Sequence, residues 1–150
     1  MTIYQHKTSF FALLVMGLLL LSCQEKEKHH EKIEPAHIEH IDGSELNLLR
    51  LTEKAVERIG IETTPVAEEL IAHSEAQLRT TVPYSALLYD VKGRTWVYTN
   101  PEPQTYVRHE VTVDFIDGDK AVLNAAPPLG TQIVSIGAAE LYGTEYEVGH

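Results

Sequence analysis

Four histidines, His29, His30, His37 and His40, fall within a dozen residues, interleaved with Glu31, Glu34 and Glu39. Imidazole and carboxylate are donors that zinc and copper accept. Pro35 can open a short helical turn, which would set His37 and His40 at i, i+3, a spacing able to chelate either ion. The plainer reading, which takes precedence, is a charged leash whose histidines are solvated. Ordering such a segment costs on the order of 1 kcal/mol per residue, so any ion held there would bind modestly. A methionine-based copper(I) site is excluded, because the two methionines, Met1 and Met16, both lie in the N-terminal apolar stretch. The catalytic patterns are missing: there is no HExxH, no Gly-rich loop after a strand and no serine in a nucleophile elbow. The chain is therefore not read as an enzyme. His109 is expected to face inward on its strand as a satisfied core or interface histidine, since nothing nearby in sequence completes a coordination set.

The single cysteine stands at a border. Phe10–Leu21 is too short to cross a bilayer, which takes about 20 residues, and it fits the core of a signal peptide, roughly 7–15 residues. Lys7 supplies a basic flank, and Leu20-Leu21-Ser22-Cys23 resembles a bacterial lipobox, in which the thiol takes a diacylglycerol and the cysteine becomes the new N-terminus. Each buried acyl methylene contributes about 0.8 kcal/mol, so two or three chains make a durable anchor. Residues 1–22 are thus expected to be a lipoprotein signal peptide and Cys23 the lipid attachment site, placing the chain on the periplasmic side of the cell envelope. With one cysteine there is no disulfide framework despite the export.

Loss of residues 1–22 removes Lys7 alone and takes the net charge from −10 to −11. Such acidity argues against nucleic acid and against an anionic membrane surface as electrostatic partners. The remaining chain, about 130 residues, has room for one modest domain.

These residues need elements to position them. Residues 23–44 are polar and mixed in charge without an apolar period, so they are expected to be a flexible, lipid-anchored tether. Residues 45–150 carry the domain. Glu45–Leu51 is a possible first strand. Thr52–Gly60 has the marks of a short helix: a capping threonine, Glu53 in the first turn, Arg58 in the last, an apolar stripe of Ala55, Val56 and Ile59, and Gly60 for the left-handed stop. After Gly60 the period becomes two. Ile61–Ala67, Glu75–Val82, Ala86–Val91, Arg94–Asn100, Val107–Phe115, Lys120–Asn124 and Thr131–Ile136 are expected to be strands. On Val107–Phe115, Val107, His109, Val111, Val113 and Phe115 would face in, with Arg108 facing out. Asp117-Gly118 signals a hairpin, Pro101 and Pro103 a break, and Gly137–Leu141 closes the domain. Short strands spaced by turns imply a mainly β fold, a small antiparallel sheet or barrel with one short helix.

The ordered set of motifs resembles one family. Leu51–Glu68 (LTEKAVERIGIETTPVAE), Val82–Tyr98 (VPYSALLYDVKGRTWVY) and Val107–Gly143, with its Val-Thr-Val strand, Gly-Asp hairpin, Leu-Gly-Thr loop and Val-Ser-Ile-Gly-Ala-Ala-Glu-Leu close, resemble periplasmic adaptor subunits. These are the membrane fusion proteins of resistance–nodulation–division efflux pumps. The resemblance covers nearly everything from Leu51 onward and implies a β-barrel-like membrane-proximal domain. A full adaptor carries a lipoyl domain, a helical hairpin and a β-barrel domain between the first two blocks, where this chain has only Glu69–Thr81. The resemblance therefore implies docking on an efflux transporter or on a full-length adaptor subunit, for cation or drug efflux, without bridging the envelope. Such docking requires an exposed apolar patch, for which Trp96, Tyr98 and Tyr106 are the candidate anchors, with ordinary core as the competing role. The second reading is a periplasmic zinc- or copper-binding lipoprotein that works through its histidine tether.

Overall fold

The helix forms where its end signals stand. A computed structural model describes residues 34–72 and 76–146; residues 1–33, including the segment expected to be a signal peptide, Cys23, His29 and His30, lie outside the described residues. Helix α1 spans Glu53–Ile59, the Thr52 hydroxyl accepts the Ala55 amide at 3.2 Å, and Gly60 takes the left-handed conformation with φ 72°. A cap of this kind contributes about 1 kcal/mol.

Most of the rest is strand, and every pairing is antiparallel. The strands are β1 (Ala36–His40), β2 (Asn47–Leu51), β3 (Glu62–Pro65), β4 (Ala67–Ala72), β5 (Ala76–Pro83), β6 (Leu88–Tyr89), β7 (Thr95–Glu102), β8 (Thr105–Asp117), β9 (Lys120–Ala125) and β10 (Gln132–Ile136). They run in the order β3-β10-β7-β8-β9-β5-β4, with β1 added through β2 to β8, and β6 added to β7. The sheet curves into half a barrel, so the fold is mainly β, as the alternation implies. Strand β8 belongs to both parts of the sheet: its first half pairs with β7 and β2, and its second half pairs with β9 across two register shifts. Bulges sharpen local twist, which lets one ribbon serve two sheets.

Two turns show why the strands end where they do. Asp117 and Lys120 are paired across a two-residue turn in which Gly118 has φ 61°, the conformation such hairpins demand. The prolines at 101 and 103 do not break the sheet: β7 continues through Pro101 and returns as β8 through a tight turn in which Gln104 adopts φ 60°.

Burial divides at β7. Val97 belongs to one core cluster with Val66, Val82, Val111, Leu123 and Ile133. Its neighbour Tyr98 belongs to another with Leu49, Leu51, Tyr106, Val134 and Leu141. A strand whose two faces are both covered loses the polar–apolar alternation that a half-exposed strand shows. A second helix, α2 (Ala138–Glu145), together with α1 covers the Tyr98 side. Gly137 precedes α2 at φ 91°, and a Cβ there would lie 2.9 Å from Ile61 Cγ1 and 3.0 Å from Ile59 Cγ2. The close of the domain thus rests directly on the exit from α1.

Two expectations need correction. The tether does not extend to Ser44, because Ala36–His40 pairs with β2 from Ala36↔Leu51 to His40↔Asn47. Ala36 and Ile38 are half-buried, and a 4.0 Å ion pair joins Glu39 to Arg50. Gly137–Leu141, expected only to close the domain, is the cap and first part of a helix that runs over Ala138–Glu145. Among the described residues no helix is long and apolar enough to cross a membrane.

Candidate functional site

The aromatic anchors expected at the surface are core. Trp96 is 3% exposed, Tyr98 0% and Tyr106 3%, so they form no exposed apolar patch. Tyr98 and Tyr106 pack with Leu49, Val134 and Leu141, while the Trp96 ring lies against the Arg94 and Arg108 guanidinium groups. That packing removes more apolar area from water than a surface site would.

These aromatics surround a buried charge. Tyr98 and Arg108 are cross-strand neighbours on β7 and β8. Arg108 Nε donates to Glu145 Oε2 at 2.7 Å, and the Tyr98 hydroxyl donates to the same oxygen at 2.5 Å. Asn47 Nδ2 donates to Glu145 Oε1 at 3.3 Å. The guanidinium carbon lies 4.7 Å from the Trp96 ring centroid, 5.2 Å from Tyr146 and 5.9 Å from Tyr142. Desolvation, then the bond to Glu145, push the Tyr98 hydroxyl far above its ordinary range, so it remains a donor. Burial works against the Arg108 cation, but the bond to Glu145 and its charge outweigh that and raise its pKa. A carboxylate in the last turn of a helix is disfavoured by the dipole, and here Arg108 supplies the compensation.

Arg108 was expected to face out and His109 in. The structure reverses both: Arg108 is 2% exposed and His109 is at the surface. The reason is α2, whose Glu145 reaches Arg108 across 37 positions of sequence. One guanidinium nitrogen, Arg108 Nη1, is buried with no hydrogen-bond partner among the described residues.

Beside this network lies a cleft of about 370 Å³, walled by Ser44–Leu46 and floored by Trp96 and Arg108–Glu110. Its flank is stiffened at Asp90. Asp90 Oδ1 accepts the amides of Lys92 (2.8 Å) and Arg94 (2.9 Å), and Oδ2 accepts Arg94 Nε (2.8 Å) and Trp96 Nε1 (3.2 Å). Burial alone would raise the Asp90 carboxyl, but these hydrogen bonds outweigh it and hold it well below the usual carboxylate range. Arg94 also pairs with Glu45 on the opposite wall.

A different surface lies at the far end of the sheet. Leu70 on β4 and Leu78 on β5 are direct cross-strand partners, each 65% exposed. Leu78 shares its face of β5 with Thr80 and Val82, which pair with Leu123 and Ala121. Val82, Ala121 and Leu123 are buried in the Val97 cluster. The apolar face of the core therefore continues past its cover. Strand β4 is also an edge of the sheet.

His37 and His40 do not form the helical turn that Pro35 could have opened. His37 and His40 lie on β1, three positions apart and so on opposite faces. His40 Nδ1 is 3.2 Å from Asn47 Oδ1. Among the described residues no group of three or more His, Cys, Asp or Glu is arranged to hold a metal ion. No signal in the sequence pointed to the Arg108–Glu145 pair, and Leu70–Leu78 lies in the stretch read only as a connection. No protein-family model matches the chain, and neither a curated protein nor a solved structure matches it.

Proposed function

We propose that the chain is a lipid-anchored docking module of the cell envelope, held at a membrane through Cys23 and binding an efflux transporter or a full-length adaptor subunit on the periplasmic side. The observation that carries this reading is the open apolar face at Leu70 and Leu78. Large apolar side chains that extend a core face onto an unpaired sheet edge are costly to leave in water, and natural sheets protect such edges unless they are used. This face takes the role first assigned to Trp96, Tyr98 and Tyr106. The resemblance of Leu51–Gly143 to periplasmic adaptors supplies the class of partner, and the lipobox-like border at Cys23 supplies the location. The role is binding, with no chemical step on this chain.

The test is a photo-crosslinking residue placed at position 70 or 78 of the full chain in envelope membranes. Recovery of a transporter or adaptor subunit, lost when the probe moves to Thr63 on β3, supports the reading. Recovery of neither from positions 70 and 78, with the chain present in the membrane fraction, rejects it.

A further inference from the structure

Between the two halves of β8 there is a gap in the ladder. Pairing with β2 covers Thr105–Val107, and pairing with β9 begins at Thr112. Among the described residues, Arg108, His109, Glu110 and Val111 pair only with β7. Each strand residue has main-chain groups for neighbours on both sides, so this stretch leaves an unpaired edge within an otherwise paired strand. The cleft of about 370 Å³ lies at this stretch, with Glu45 and Leu46 on its wall and Trp96, Arg108, His109 and Glu110 along its floor. That volume is at the lower end of the range for binding pockets, roughly 300–1,000 Å³.

The groups around the gap define what fits. An unpaired strand edge is completed by another extended backbone. Buried Arg108 Nη1 has no acceptor among the described residues, and a peptide carbonyl supplies one. Glu110 is exposed and has no ion-pair partner among the described residues, while Glu45 faces the same space and the whole chain is strongly acidic. Glu45 is already paired with Lys92 and Arg94, so the charge left uncompensated at the cleft is the exposed Glu110 carboxylate, which disfavours a free anion and favours a basic side chain.

We propose that this cleft is a peptide-binding site, taking a short extended segment of another protein that carries a lysine or arginine and adds its main chain to β8 at Arg108–Val111. The site is built from other residues than the Leu70–Leu78 face and does not depend on the lipid anchor, so each assignment can fail alone.

The experiment uses the full chain, ¹⁵N-labelled in detergent micelles, titrated with acetyl-Val-Lys-Val-amide. The expected result is saturable shifts of the Trp96 indole N–H and the His109 and Glu110 amides. Binding should be about tenfold tighter than for acetyl-Val-Glu-Val-amide, the ratio that one modest ion pair produces. Backbone N-methylation of the lysine peptide should abolish the response, and Glu110→Lys, an exposed change that leaves the fold intact, should reverse the charge preference. The proposal is overturned by any of three results: no shift at these positions up to the solubility limit, an equal response to the N-methylated peptide, or the same affinity for both charges.

Discussion

The roofed side of the sheet and the open end of the β4–β5 hairpin treat their side chains in opposite ways. On the roofed side, Arg108 is buried because α2 brings Glu145, Tyr142 and Tyr146 over it. At the hairpin, Leu70 and Leu78 stand in solvent because nothing in the described chain covers them. Residue type alone would have assigned the reverse. Burial is decided by what a distant part of the chain supplies, and a cation can be buried if its charge and most of its donors are met. The exposed leucines have no such supply among the described residues, which is why they are the place to look for a partner.

The comparison fails most visibly if Glu145 is dispensable. Glu145→Ala leaves Arg108 buried without its counter-charge and is expected to cost about 3–5 kcal/mol in urea unfolding. A second change, Arg108→Met, should recover much of that loss, because it removes the stranded cation. If Glu145→Ala costs under about 1 kcal/mol, the network is not what holds α2 down.

Next in size is Gly137→Ala. A left-handed backbone costs a non-glycine residue about 1–3 kcal/mol, and the added methyl would also press on Ile59 and Ile61. Thermal unfolding monitored by circular dichroism reads the loss directly. Val91, fully exposed at a turn, provides a control position at which substitution should leave the midpoint unchanged.

Asp90 gives an effect gated by pH. Its carboxyl titrates lower in the folded chain than in the unfolded one, where the ordinary value is about 3.9. Its contribution is therefore complete above that value and is lost as the pH falls below it toward the folded pKa. Denaturant midpoints of the parent and of Asp90→Asn should differ at neutral pH and converge in acid below about pH 4. Equal midpoints at neutral pH would show that the turn does not depend on the charge.

The smallest expected change in stability comes from the open hairpin. Leu70→Ser with Leu78→Ser should alter unfolding by no more than about 0.5 kcal/mol, because both side chains are already wet. The same pair should abolish the proposed crosslinking. A large stability loss would mean that the two leucines are internal packing after all, and the contrast with Arg108 would vanish.

Much of the frame was legible from local signals. Thr52, Gly60 and the Asp117-Gly118 dipeptide set their element ends through backbone requirements that act within a few residues. Strand β1 was hidden because Ala36 and Ile38 alternate with His37 and Glu39 inside a charged tract, a weak apolar period that only pairing with β2 makes useful. Helix α2 was hidden by Gly137 and Gly143, which read as loop residues. The site was less legible than the fold. Tyr98 could serve as a surface anchor only if its face of β7 were open, and that face is covered; Trp96 is 3% exposed. The pairing of Asn47, Tyr98 and Arg108 on Glu145 joins positions up to 98 residues apart, and no periodicity within one segment encodes such a meeting.

The length of β8 has a mechanical consequence. A ribbon of 13 residues that pairs with β2, β7 and β9 leaves no hinge line between the sheet halves. Rupture at either end strips hydrogen bonds from a backbone that the other end also uses, so the halves should open as one cooperative unit. Amides at Val97 and Leu123, on different strands either side of that ribbon, should then exchange with deuterium at a common free energy of opening.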